Sequence, residues 1–248
     1  MAAAPVLILD SLDSTNAEAR RRAEAGDVGP LWIVARTQTA GRGRRGRDWT
    51  SDTGNLFATL LLTTSKPAAE AAQLTFVAAL AVADLLDTYA PASLVTIKWP
   101  NDVMLAGQKA SGILIESGTH ANGQLWIGCG IGVNLAHAPV GTERPATSLA
   151  QHLGPQALQA PSVEVAARAL AEAFGNWFGR WQSLGFALLE AWMRRTPGLH
   201  GAAIARLGHE TLEGMAEGVA EDGALRLRLA DGSLRLISAG DVFFGQEV

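Results

Sequence analysis

Residues 37–51 read TQTAGRGRRGRDWTS. Arg42, Arg44, Arg45 and Arg47 are threaded with Gly41, Gly43 and Gly46, and Trp49 follows. Guanidinium groups pair with carboxylate or phosphate through two parallel hydrogen bonds. Interleaved glycine lets backbone N–H groups turn inward and approach a ligand closely. A small ligand with several negative charges in one place suits this combination, such as a nucleoside triphosphate brought against a carboxylate. The stretch alone leaves other readings open. GRGRRG matches the dinucleotide fingerprint G-x-G-x-x-G, but that fingerprint must open a helix and be followed by an acid about twenty residues on. Here RDWTSDTGN is loop sequence, and the strand-like LLLTTSK beyond it carries no acid. A P-loop fails because no Gly-Lys-Ser/Thr closes the run. A basic nucleic-acid patch and a plain solvated loop remain. Interleaved glycine argues against both, and the crowding of like charges argues against the second.

Two further stretches carry unusual chemistry. In KWPNDVML, residues 98–105, Lys98 ends a strand, Pro100 stiffens the chain, and Asn101 and Asp102 suit a turn. A plain Asx-type turn has the same look. Lys109 opens KASGILIE, where a strand-entry charge is the ordinary explanation. GIGVN, residues 130–134, puts Gly130, Gly132 and Asn134 at a strand end. Those glycines serve either packing or room for a ligand.

The elements that must position these residues follow from periodicity. Residues 5–10, 31–37, 55–63 and 94–100 read as strands, the last closed by Pro100. Residues 16–25 read as a helix with a Thr15–Glu18 capping box and a stop at Gly26. Residues 68–90 read as one long helix closed by Pro91. Residues 109–117 and 124–135 are strands joined by THANG, whose Asn-Gly pair favours a hairpin. Residues 163–195 are helical with a break near Gly185, and Trp177, Phe178, Trp181 and Trp192 are packing residues rather than a ligand box. After Pro197 the pattern changes to short alternating strands, with LRLRLADGSLRLI crossing an Asp-Gly turn. The expected division is residues 1–197 and 198–248, the second a small β-barrel or sandwich.

Composition narrows the class. The chain has 248 residues, nearly half of them hydrophobic (48%), and a formal charge of −4. That is a globular balance, and opposite in sign to a general nucleic-acid binder, so the arginine cluster is a local feature. Cys129 is the only cysteine, which fits a reducing compartment. The N-terminus has no basic n-region. The apolar stretch Phe76–Leu86 is short for a bilayer span and carries Asp84. A cytoplasmic location is expected, with no membrane partner.

In order and together, DSTN (13–16), QTAGRGRRGRDW (38–49), KWPNDV (98–103), KASGILIE (109–116) and GIGVN (130–134) resemble the biotin protein ligases, the biotin–[acetyl-CoA-carboxylase] ligases. The resemblance implies an α+β fold: a mixed β-sheet with helices, akin to class II aminoacyl-tRNA synthetases, followed by a small Src-homology-3-like β-barrel. It implies two steps. Biotin and ATP, with Mg²⁺, form biotinyl-5′-adenylate and pyrophosphate; a lysine of a biotin carboxyl carrier protein of acetyl-CoA carboxylase then displaces AMP. Ser14, Thr15, Asn16 and Gln38 match positions around the biotin ureido ring. Arg42, Gly43 and Arg44 match the adenylate-binding loop, Trp49 an aromatic over the ligand, and Lys109 the lysine at the reacting carboxylate and phosphate. Asn101 and Asn134 match nucleotide contacts, and Asp102 the position expected to help the incoming lysine. No residue is assigned to hold a metal. The loop is expected to be mobile when empty and to order on ligand. About a dozen residues precede DSTN, too few for a helix-turn-helix domain, so a short ligase without direct DNA binding is expected; homodimer formation is left open. The rivals are a lipoate-type ligase, a non-catalytic anion- or nucleic-acid-binding protein, and a sensor that makes the adenylate without transferring it.

Overall fold

A computed structural model describes residues 4–142, 145–184 and 188–245. Seven strands form the larger sheet: β1 (Val6–Leu12), β2 (Leu31–Gln38), β3 (Leu56–Thr64), β4 (Val95–Lys98), β5 (Asp102–Leu105), β6 (Gln108–Thr119) and β7 (Leu125–Val133). Their order is β1-β2-β3-β7-β6-β5-β4. β1 and β2 run parallel, linked by α1 (Thr15–Glu24), and the other neighbours are antiparallel. The sheet is therefore mixed, as expected.

β7 shows why the two faces differ. Side chains alternate across a strand. Ile127, Cys129, Ile131 and Val133 point into the main core, under α3 (Leu74–Asp87) and α4 (Val163–Leu184). The intervening positions are Gly128, Gly130 and Gly132. They strip the opposite face of side chains. α1 settles on that face through Ala19, whose Cβ would lie 3.6 Å from a Cβ built on Gly128. Ala19 and Ala23 close a second, smaller core with Ile33, Leu61 and Trp126.

Several expectations change. The Thr15–Glu18 capping box does not form: Ser14 takes the N-cap position with no side-chain cap. Glu18 instead holds Arg21 at 3.0 Å and Arg22 at 2.9 Å, and the Thr15 hydroxyl turns to Gln38 and Thr59. Two ion pairs and the bonds to half-buried Gln38 and buried Thr59 outcompete a local cap. The long helix is two pieces, α2 (Ala68–Ala71) and α3. Ala68–Asp87 is long and apolar enough to cross a bilayer by composition, so length does not argue against a span; 67% of that window is buried inside the fold, which accounts for its apolarity. Asp102 opens a short strand rather than closing an Asx turn. The break near Gly185 falls outside the described residues; the chain resumes as α5 (Leu188–Arg194). Phe178, Trp181 and Trp192 are buried in the core, with Trp177 packed against it.

The second sheet is antiparallel throughout. It contains β8 (Ala202–Arg206), β9 (Thr211–Val219), β10 (Leu225–Leu229), β11 (Leu234–Ile237) and β12 (Asp241–Phe244), in the order β11-β10-β9-β8-β12. The Asp231-Gly232 turn joins β10 to β11, as the alternation implied. Its apolar face continues the main core through Ala203, Leu225, Leu227 and Val242. Trp99 Nε1 donates to Gly223 O at 3.0 Å, and a Cβ at Gly223 would lie 2.6 Å from the Phe76 ring. This close seating brings β12 to the arginine loop.

Candidate active site

A cleft of about 260 Å³ opens beside the stripped face of β6 and β7. The N-terminus of α1 forms one end, the arginine loop forms the wall, and Gly240, Asp241 and Val242 of the second sheet reach its rim. Every candidate residue from the sequence lines this cleft except Asn16.

The loop is a tight reversal. Gly43 N donates to Arg47 O at 2.7 Å, and Trp49 N donates to Gly41 O at 3.0 Å. Arg45 (φ 58°) and Gly46 (φ 72°) are both left-handed at the tip. The glycine run therefore closes a hairpin-like loop and opens no helix longer than a single turn at Arg44–Gly46, which removes the dinucleotide-fingerprint reading.

The four arginines do not share one partner. Arg45 Nη1 and Arg47 Nη2 donate to Asp241 Oδ2 at 3.0 and 2.9 Å. Arg42 lies 3.5 Å from Glu116. Arg44 turns inward, and its Nη1 donates to Asn101 Oδ1 at 2.9 Å. Asn101 is itself held by Nδ2 donating to Ile113 O at 2.8 Å. Burial pushes the Arg44 guanidinium below its ordinary value, Asp102 opposes this, and Arg45 and Arg47 add to it. An arginine stays charged under such a shift. A partly dehydrated cation with like charges beside it is a site prepared for an anion.

Lys109 supplies the second cation. Its Nζ is 2.7 Å from Asp102 Oδ1 and 5.5 Å from the centroid of the Trp49 ring. Trp49 lies flat on two glycines. A Cβ at Gly112 would come within 2.9 Å of its ring, and one at Gly132 within 2.5 Å. These glycines are paired across β6 and β7, so they make room for an aromatic rather than directly for a ligand. Trp49 Nε1 is buried and has no hydrogen-bond partner among the described residues.

The α1 end of the cleft is polar and uncharged. Thr15 N donates to Gln38 Oε1 at 2.8 Å, Gln38 Nε2 to Ser51 Oγ at 2.9 Å, and Ser51 Oγ to Trp49 O at 2.9 Å. The chain of bonds ties this end to the loop. Asn134 also lines the cleft, with Nδ2 donating to Thr147 O at 3.0 Å. Asn16 departs from expectation. It sits behind Gly130, and its amide is taken up by Leu114 O, Glu116 and Thr59.

Sequence reasoning missed Thr59, Ser51, Glu116 and Asp241. The period-two glycines of β7 carried a signal for Thr59 and Glu116, which stand beside Gly128, since a stripped strand face implies neighbours that fill it; Ser51 stands against Gly41 instead. Asp241 carried none. Among the described residues no group of three or more His, Cys, Asp or Glu could hold a metal. Asp102 is already paired with Lys109.

The model of the biotin/lipoate A/B protein ligase family matches residues 9–134, and that of the biotin protein ligase C-terminal domain matches residues 204–245. The chain is 43% identical to a biotin–[acetyl-CoA-carboxylase] ligase of Paracoccus denitrificans, over 96% of this chain and 100% of that protein. It is 31% identical to the bifunctional ligase/repressor BirA of Bacillus subtilis, over 93% of this chain and 71% of that protein. The fold is like that of the Aquifex aeolicus biotin protein ligase in complex with biotin and ATP, with a TM-score of 0.77 over 97% of this chain and 99% of that one, at 23% identity. A Leishmania major biotin protein ligase in complex with biotinyl-5-AMP matches with a TM-score of 0.58 at 27% identity, over 95% of this chain and 99% of that one. Sequence and fold agree: the chain belongs to the biotin protein ligases.

Proposed function

We propose that the cleft joins the biotin carboxylate to the α-phosphate of ATP, releasing pyrophosphate, and then gives up the biotinyl group to a lysine of a biotin carboxyl carrier protein, releasing AMP. One observation carries this reading: two cations, Arg44 and Lys109, converge on a cleft whose α1 end offers neutral hydrogen-bonding groups. Two anions must be brought together in the first step, and fixed cations stabilise the charge that builds up there. Holding the reactants in one cleft also removes entropy from the barrier.

In this reading Ser14, Thr15 and Gln38 hold the ureido ring. Arg42, Gly43 and Arg44 form the wall along the adenylate, Trp49 packs over it, and Asn101 and Asn134 stand on the nucleotide side. Lys109 meets the carboxylate and the phosphate. Asp102 is the carboxylate that receives the incoming ammonium. Mg²⁺ shares the phosphate charge when bound with ATP. Residues 1–197 form the catalytic part and residues 198–248 the small module that braces the loop. A reducing, cytoplasmic setting suits the buried Cys129, whose thiol burial makes hard to ionise. A lipoate-type pocket would be longer and apolar at the end where Thr15 and Gln38 stand here.

The direct test incubates the protein with biotin, MgATP and a carrier domain, and follows mass. A biotinyl adduct on one carrier lysine is expected. Pyrophosphate release without any adduct would leave only a sensor, and neither product would overturn the reading.

The loop gives a separate prediction. Asp241 ties Arg45 and Arg47 to β12 with partly exposed groups. Trypsin should cut between Arg42 and Arg47 about two- to fivefold faster in Asp241→Asn, because exposed ion pairs each contribute a few tenths to 1 kcal/mol. Biotin with MgATP should slow cutting in both forms. Equal cutting rates for variant and parent would remove Asp241 as the brace.

A further inference from the structure

We infer that Glu116 and Thr59, neither of which lines the cleft, fix the direction of the hydrogen bonds at Thr15, so that its hydroxyl faces the ligand as an acceptor. This inference rests on the biotin reading of the cleft and names the residues that tune its ring end.

The argument is a count of protons. Asn16 Nδ2 lies 2.7 Å from Glu116 Oε2 and 3.3 Å from Leu114 O. A carboxylate and a carbonyl only accept, so the amide NH₂ must face them. The amide oxygen then faces Thr59 Oγ1 at 2.6 Å. It has no proton to give, so Thr59 must spend its single hydroxyl proton there. Thr59 Oγ1 is also 2.8 Å from Thr15 Oγ1. With its own proton committed, Thr59 can only accept from Thr15. The Thr15 proton therefore points away from the cleft. Gln38 Oε1 is the longer alternative, 3.2 Å from Thr15 Oγ1 against 2.8 Å for Thr59, and it already accepts the Thr15 backbone N–H at 2.8 Å. Lone pairs of Thr15 Oγ1 are left for the ligand. A cyclic urea presents two N–H donors, which is the complementary pattern.

The fold holds Asn16 where this works. Its side chain is buried, and a Cβ at Gly130 would lie 2.1 Å from its Oδ1. Thr59 is fully buried on β3, opposite Gly130. Without Glu116 only the longer contact to Leu114 O, at 3.3 Å, still orients the amide, and it can turn over. Nδ2 would then donate to Thr59, the Thr59 proton would move to Thr15, and the Thr15 proton would swing toward Gln38 or the cleft. An acceptor at the ring end would become a donor.

The test is a double-mutant cycle on biotin- and ATP-dependent pyrophosphate release. Glu116→Ala and Thr59→Val should each raise the biotin KM about tenfold or more and leave the ATP KM within about twofold, the loss of one well-placed buried hydrogen bond to ligand. The double variant should be no worse than the weaker single, because both break one chain. Glu116→Gln keeps an acceptor oxygen for Asn16 and should restore the biotin KM; Thr59→Ser keeps the hydroxyl and should do the same. Melting curves accompany each variant. If Thr59→Val does not fold, the Ser and Gln variants still decide, since a tenfold biotin KM in either overturns the inference. Unchanged biotin KM in Glu116→Ala, strictly multiplicative effects, or an equal rise in ATP KM would overturn it too. Absence of pyrophosphate release in the parent protein would instead defeat the biotin reading itself.

Discussion

Replacing Lys109 by methionine is expected to slow biotin-dependent pyrophosphate release by about 10²–10³-fold, the usual effect of deleting one preorganised charge donor at a reacting oxygen. Lys109 is the only lysine among the described residues that line the cleft. Its Nζ is held by Asp102 at 2.7 Å and stands over the Trp49 ring. It therefore needs no rearrangement to meet an incoming anion. The variant also leaves the Asp102 carboxylate buried and unpaired, and that negative charge would itself repel both substrates. The double variant Lys109→Met with Asp102→Asn separates these effects. It removes the orphaned charge, so thermal stability should return while pyrophosphate release stays low. Recovery of activity in the double variant would mean that Lys109 only neutralises Asp102. Asp102→Asn alone should slow transfer to the carrier more than adenylate formation, because only transfer must dispose of a proton from the attacking ammonium. Single-turnover assays of each half-reaction read this directly; equal slowing would withdraw that role.

The residues that line the cleft stood out in the sequence, and the reasons are physical. The arginine loop, KWPND and Lys109 each have residue types that are costly or odd without a ligand, and apart from Lys98 the last two line the cleft that the loop walls. Their meeting depends on strand pairing between segments far apart in sequence, which periodicity does not encode; the resemblance supplied it. Local rules failed where tertiary partners were stronger. Thr15 and Glu18 have the spacing of a capping box, yet both side chains find other partners. Asn16 was assigned to the ligand because the resemblance matches the whole of DSTN to positions around the ring. On a helix, adjacent residues face different directions, and Asn16 turns behind β7 instead. The Asp241 brace joins segments nearly two hundred positions apart (|i−j| = 196 to Arg45). No motif near Asp241 announces it.

Gly132→Val should be the other severe change, and it tests whether the glycines of β7 exist for Trp49. A Cβ at Gly132 would lie 2.5 Å from Trp49 Cε2, and the ring already rests on the paired Gly112, where a built Cβ would fall 2.9 Å from it, so it cannot sink toward the sheet. The only way out is upward, into the cleft proposed to hold the adenylate. The ATP KM should rise about 10- to 100-fold, the range expected when base–aromatic stacking of about 1–3 kcal/mol is lost. Stability should fall by about 1–3 kcal/mol, the usual cost of overpacking. Ile127→Val, on the other face of the same strand, should cost about 0.5–1.5 kcal/mol and leave the ATP KM alone. That contrast separates a general weakening of β7 from displacement of the ring. In a Trp49→Ala background, Gly132→Val should add little to the ATP KM, because the ring it displaces is already gone. A full additional rise in that background would show that the valine blocks the nucleotide directly and that Trp49 is not the group the glycines accommodate.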